Sequence, residues 1–217
     1  MLSAIDDLLR ARGRFAPDGA GLPTPGTQAW IVAAGLLYGA VMGAYGLRSL
    51  QILYSALKVP LLLGVAALVC LPNLVAVNTA LGLRDDFRAV LRALVLSQGT
   101  VCLSLAALAP ITAVAYLSTS DYNTAVLFNG GVFLLAALAG QITLGRHYRR
   151  LIAANPKHRV GRNAWLTLYV FVAIQMAWVL RPFVGNPEQP SRFFREGAWG
   201  NAYVEVAALV WRALAGR

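Results

Sequence analysis

Residues 59–83 read VPLLLGVAALVCLPNLVAVNTALGL, and no charged side chain or histidine interrupts them. Four other stretches are similarly apolar and contain no Asp, Glu or His: 28–47, 89–118, 122–145 and 163–184. Each reaches or exceeds the roughly 20 residues that an α-helix needs to cross about 30 Å of hydrocarbon. The sequence therefore predicts an all-α fold, a polytopic membrane helical bundle of about five transmembrane helices with short interfacial helices.

The overall composition is that of a membrane protein. The hydrophobic fraction is 58%, the charged fraction is only 13% and the mean hydropathy is +0.61. A soluble domain has about a quarter of its residues charged. The net charge of +10 could suggest nucleic acid. However, the Arg residues cluster beside the ends of the spans, where they face lipid phosphates and set topology, so we expect no nucleic-acid partner.

Three regions are predicted along the chain. Residues 1–27 form a cytoplasmic amphipathic segment and linker, and residues 28–184 form the five-span bundle. Residues 185–217 form an extracytoplasmic elbow and an interfacial helix, for which 202–214 has the right pattern but too few residues to span. Residues 1–14 predict a short helix that lies on the membrane surface.

The first span carries a stripe of glycines. Gly35, Gly39, Gly43 and Gly46 recur every three or four residues, which leaves one helix face nearly bare. Such a face lets another helix backbone approach closely. We therefore expect a close-packed bundle.

Prolines and the amphipathic ends of two spans predict where the helices are interrupted. Pro60 suits the first turn of the second span, and Pro72 and Pro110 predict kinks. The amphipathic stretch 48–58 predicts an interfacial connection. The third span is longer than needed, so its beginning is expected to be an interfacial turn that carries Arg88 and Arg92.

Loop charges predict the orientation. The loop 146–162 has six Lys or Arg residues and no acid, whereas the loop 118–123 has none and one acid, Asp121. By the positive-inside rule, the basic loop is cytoplasmic. This places the N-terminus inside and the C-terminus outside an inner (plasma) membrane. The loop 118–123 is also very short, which forces the third and fourth spans to be antiparallel neighbours.

The predicted spans lack the side chains that membrane proteins use for proton transfer and for binding haem or metal ions. Proton relays use Asp, Glu or His inside the membrane, and haem and metal sites need clustered ligands. The two histidines, His147 and His158, fall instead in the basic loop, where we expect them to face lipid. We therefore predict neither an enzyme nor a cofactor.

The polar residues inside the predicted spans are amides. They can line a pathway for a neutral solute or join helices by hydrogen bonds, and the lack of an internal repeat favours joining. The candidates are Asn73, Asn78, Gln98 and Gln141, with Asn129 and Gln175 beside them.

The candidates for binding partners or lipid lie at the two ends of the fifth span. They are the basic residues Arg146, Arg149 and Arg150, and the tail residues Arg181, Phe194, Trp199 and Asn201. The expected partners are membrane lipids, including anionic headgroups, and other integral membrane proteins.

Two motifs carry a resemblance. The run YSALKVPLLLGVAALVCLPNLVAVNTALG and the later WVLRPFVGNP and FFREGAWGNAY resemble uncharacterised bacterial polytopic membrane proteins that are loosely Yip1-like, with five spans. The resemblance implies five spans and a role without known catalysis.

Three functions remain open at this point. The first is a non-catalytic integral membrane subunit or scaffold that assembles with other membrane proteins. The second is a small transporter or channel for a neutral or anionic solute. The third is a Yip1-like membrane-organising protein that acts through the basic loop.

Overall fold

The computed structural model describes residues 2–17, 19, 22–186, 189–204 and 211, and the regular structure in them is helical. Six α-helices follow one another: α1 (Leu2–Arg10), α2 (Pro25–Gly43), α3 (Ser49–Ala80), α4 (Phe87–Ser118), α5 (Tyr122–Ala154) and α6 (His158–Leu180). Single 3₁₀ turns lie at Gly13–Phe15 and Arg84–Asp86. Five of the helices, α2 to α6, are long and apolar enough to cross a membrane. The predicted all-α, five-span fold is therefore confirmed.

The five long helices pack in a row that curves round, so that its two end helices, α5 and α6, face each other across a cleft. α2 packs against both α3 and α4, α3 also packs against α6, and α4 packs against α5. The order across the bundle is therefore α6, α3, α2, α4, α5. The two outermost helices, α5 and α6, touch only sparsely. The antiparallel pairing of α4 and α5 agrees with the short loop between them.

The glycine stripe produces the tightest contact of the row. A Cβ on Gly39 would lie 2.4 Å from the carbonyl oxygen of Ser55, and a Cβ on Gly43 would lie 2.7 Å from that of Gln51. The bare face of α2 therefore meets the backbone of α3, as predicted. Gly46 is not part of this face, because it lies beyond the end of α2 with a positive φ of 78°.

Several predicted helix boundaries were wrong. The stretch 48–58 is not an interfacial connection, because α3 runs unbroken from Ser49, and Pro60 therefore lies in its interior. Likewise, Arg92 belongs to the continuous helix α4 and is buried. The fifth span ends at Leu180, so residues 181–184 are not helical. In α3 and α4 the helix begins before the predicted apolar span, and α6 ends before the predicted span does.

The N-terminal segment, residues 2–17, docks on one end of the bundle. Leu8 and Phe15 are buried in a cluster with Leu96 of α4. Arg92 donates hydrogen bonds to the carbonyl oxygens of Arg14 (2.6 Å) and Ala16 (2.9 Å). The segment is therefore held by the bundle as well as by any membrane surface.

Candidate binding cleft

A cleft of about 740 Å³ opens between α5 and α6. The helices are joined by Asn155–Lys157, and Tyr148 and Trp165 pack together near that join. From there they diverge, so the cleft runs from Gln141 and Tyr169 at its narrow end to Tyr122 and Arg181 at its wide end. Its volume lies within the range of about 300–1,000 Å³ that is usual for ligand sites.

Small side chains on the two facing helices create the space. α5 presents Gly130 and Ala137, and α6 presents Ala173 and Ala177, each pair on one helix face. Larger apolar residues complete the walls: Leu62, Leu63, Val101, Val126, Phe133, Leu134, Val170 and Ile174. The middle of the cleft is therefore lined by hydrocarbon.

The polar side chains at the back of the cleft are mostly bonded within the protein. Ser97 donates to the carbonyl oxygen of Gly140 (2.9 Å), and the amide oxygen of Gln98 accepts from the Tyr169 hydroxyl (3.1 Å). Asn129 accepts from the Tyr38 hydroxyl (2.9 Å), and its amide donates to the Tyr116 hydroxyl and the carbonyl oxygen of Ala125 (both 2.7 Å). These groups join helices, which leaves few polar contacts for a solute.

Only two of the four candidate intramembrane amides line the cleft. Gln98 lies at its back and the exposed Gln141 lies at its rim. Asn78 is buried elsewhere, donates to the carbonyl oxygen of Leu74 (2.9 Å) and packs near Gly161 of α6. Asn73 is exposed on α3, away from the cleft. The four amides therefore do not form one pathway.

The wide end of the cleft carries two cations stacked on one indole. The Cζ atoms of Arg181 and Arg195 lie 3.5 and 4.6 Å from the ring centroid of Trp178. Both arginines line the cleft. Cations over an indole face are attracted by its negative π-cloud. Arg181 was predicted from the sequence as a binding residue, whereas Trp178 and Arg195 were not.

A polar face of α3 fixes this end of the cleft. Gln51, Ser55 and Lys58 lie on one helix face and are buried. The Gln51 amide (3.0 Å) and the Ser55 hydroxyl donate to the carbonyl oxygen of Phe183, and the Lys58 ammonium donates to that of Pro182 (2.7 Å). These bonds hold residues 181–186, and from here on the word elbow means this segment, which begins before the predicted elbow at 185. The spacing i, i+4, i+7 in the sequence was the signal for this face.

The tail after the elbow returns to α6. The Gln175 side chain donates to the carbonyl oxygen of Gly200 (3.0 Å) and accepts from the backbone N–H of Ala202 (2.9 Å). Among the predicted tail residues, Phe194 and Trp199 are exposed and pack on each other, with ring centroids 5.6 Å apart. Asn201 is exposed and accepts from the N–H of Tyr203.

The predicted helix 202–214 is described only in part. Residues 202–204 are helical, and most of the rest lies outside the described residues.

The basic candidates lie at the opposite end of the bundle from the elbow. Arg146, Arg149 and Arg150 are exposed, and with Arg10 they line a depression of about 420 Å³. They sit on the last turns of α5, because that helix continues to Ala154. The prediction that 146–162 is a loop was therefore wrong for most of its length.

Both histidines are buried, so the expectation that they face lipid was also wrong. The ring of His147 lies within hydrogen-bond distance of the carbonyl oxygens of Thr143 (2.9 Å) and Phe15 (3.1 Å). The ring of His158 lies 3.0 Å from a carboxylate oxygen of Asp86. Each histidine therefore joins parts of the chain that are distant in sequence.

Within the described part of the chain, no group of three or more His, Cys, Asp or Glu side chains is arranged to hold a metal ion. The two cysteines, Cys70 and Cys102, are buried and not joined to each other. No protein-family model matches the sequence, and no curated protein or solved structure is significantly similar to it.

Proposed function

We propose that this chain is a non-catalytic integral membrane protein that holds the acyl part of a membrane lipid in the cleft between α5 and α6. The cleft itself carries the proposal, because its walls are mostly hydrocarbon and its volume of about 740 Å³ is not filled by the described part of the chain. A cavity with apolar walls binds apolar groups and not water. Acyl chains are the most abundant such groups around a membrane helix.

The chain offers a matched pair of variants for testing the cleft. Gly130 lines it and Gly131 does not, yet both are exposed on α5 and have no atom within 4 Å of an added Cβ. Gly130→Phe should therefore place a large side chain in the cleft, whereas Gly131→Phe should leave it open. Native mass spectrometry in mild detergent should find lipid on the wild type and on Gly131→Phe, and much less on Gly130→Phe. Equal lipid on the two variants would refute the proposal.

A role as a subunit of a larger membrane complex is the second candidate. The specific observation in its favour is the open row, in which α5 and α6 each keep a side that no other helix among the described residues covers. Another integral membrane protein could pack there. Purification from native membranes in mild detergent should then recover additional polypeptides, and a lone monomer would argue against this role.

The transporter alternative has less support, because Asn78 and Asn129 are bonded to protein groups.

The Yip1-like role through the basic residues stays a prediction. Replacing Arg146, Arg149 and Arg150 by Gln should then alter partner recruitment without affecting insertion.

We further propose a bacterial inner (plasma) membrane location, with the N-terminus cytoplasmic and the C-terminus extracytoplasmic, on the same side as the elbow. The Arg-rich end supports this orientation by the positive-inside rule. A cysteine at the exposed Ser120 should react with an impermeant maleimide in intact cells, whereas one at Arg149 should react only after lysis. The opposite labelling pattern would reverse the orientation.

A further inference from the structure

Buried hydrogen-bond donors gather at the wide end of the cleft. The indole N–H of Trp178 and the Nε and Nη2 atoms of Arg195 are buried and have no hydrogen-bond partner among the described residues. Buried donors without acceptors are costly, and in native proteins they usually have one. This cluster therefore calls for an acceptor that the described chain does not supply.

The missing acceptor should carry negative charge. Arg195 and Arg181 are both stacked on Trp178, so two guanidinium groups share one small region. The acids of the described chain that lie at this end are engaged elsewhere: Glu196 pairs with Arg192, and Asp121 accepts from Thr124 at the start of α5. An anion at Arg195 would both accept hydrogen bonds and balance charge.

The position of the cluster identifies the kind of anion. Arg181 and Arg195 line the same cleft as the apolar side chains of α5 and α6. Arg181 directly follows the last residue of α6, which is where the end of a spanning helix meets lipid headgroups. An amphiphile with its chain in the cleft would therefore place its phosphate beside Arg195.

We infer that the cleft selects a phospholipid whose headgroup has a net negative charge, with Arg195, Arg181 and Trp178 around its phosphate. Zwitterionic lipids also carry a phosphate, but their ammonium group would be repelled by the two guanidinium groups. This inference rests on the proposed function, since it needs the acyl chain to occupy the cleft.

The test compares two arginines three residues apart. Arg195→Gln removes a charge from the cleft, whereas Arg192→Gln removes one from an exposed side chain that does not line it. Each protein is equilibrated with nanodiscs that hold equal phosphatidylglycerol and phosphatidylethanolamine, and the bound lipid is identified by native mass spectrometry. The wild type and Arg192→Gln should prefer phosphatidylglycerol. In Arg195→Gln the preference for phosphatidylglycerol should be about tenfold lower, and Arg195→Lys should retain part of it.

The outcomes separate this inference from the proposed function. Lipid bound without a headgroup preference would overturn the anion site but leave the acyl cleft intact, whereas no bound lipid would overturn both. If millimolar glycerol phosphate abolished the preference for phosphatidylglycerol, the site would hold a free anion and not a lipid.

One acid of the chain must also be tested. Glu188 is the acid between Arg181 and Arg195 in the sequence, and it lies outside the described residues. A preference for phosphatidylglycerol that appears only in Glu188→Gln would mean that the chain's own carboxylate satisfies the site, and this would overturn the inference. Co-purification of an acidic protein segment crosslinked to position 195 would do the same. Monodisperse gel filtration of every variant excludes misfolding as the cause.

Discussion

Replacing Gly39 by Ala should force α2 and α3 apart. The added Cβ would lie 2.4 Å from the carbonyl oxygen of Ser55 and 2.8 Å from the Cα of Ala56. Ordinary contact begins at 3.4 Å, so the two backbones must separate by about 1 Å, which is the difference between 3.4 and 2.4 Å. Both neighbours are backbone atoms and cannot rotate away. Overpacking of this kind costs about 1–3 kcal/mol.

The separation should also reach the cleft. Ser55 donates to the carbonyl oxygen of Phe183, so a shift of α3 against α2 disturbs the bonds that hold the elbow. We therefore expect Gly39→Ala to lower stability and to weaken lipid retention together.

Thermal denaturation in mild detergent, followed by loss of the monodisperse gel-filtration peak, measures the stability effect. Gly64→Ala is the matched control, because Gly64 lies on α3 with no atom within 4 Å of an added Cβ. For a chain of this length, the cost corresponds to a fall in Tm of roughly 2–12 °C for Gly39→Ala. The control should stay at the wild-type value. Equal Tm values for the two variants would refute the close approach of α2 and α3.

Three further substitutions test the internal polar contacts. Asn129→Leu leaves the Tyr38 hydroxyl without its acceptor and should cost about 1–3 kcal/mol in the same melting assay; an unchanged Tm would contradict this. Arg92→Gln removes two of the hydrogen bonds that hold the N-terminal segment, so trypsin should cut that segment faster while the bundle stays intact. Lys58→Met removes the hydrogen bond to Pro182, and hydrogen exchange of the elbow should then be faster than in the wild type. Unchanged exchange would mean that Gln51 and Ser55 hold the elbow without help from Lys58.

The five spans were predictable because hydrocarbon imposes one requirement on all of them. Every backbone polar group must be bonded within the segment, and a long apolar run can meet that need only as a helix. Helix ends are under no such constraint. α3 extends outward through 49–58 and α5 through 146–154, where polar side chains on a continuing helix resemble those of a loop.

The burial of the histidines could not be predicted for a different reason. The partner of His147 is the carbonyl oxygen of Phe15, 132 residues away, and that of His158 is Asp86, 72 residues away. Both contacts depend on tertiary packing that brings the N-terminal segment and the α3–α4 turn beside α5 and α6. A polar residue at a helix end gives no local sign of such a partner.

The cleft could not be predicted from the sequence either, because it depends on tertiary packing. Small side chains on α2 and small side chains on α5 and α6 look alike in sequence, and both would predict close helix contact. On α2 the bare face is filled, because Gly39 and Gly43 meet the backbone of α3. Between α5 and α6 the space stays open, because α6 packs against α3 and the elbow that follows it is bonded to Gln51, Ser55 and Lys58. The anchoring of α6 to α3, rather than the small residues themselves, therefore decides that this face is available to a ligand.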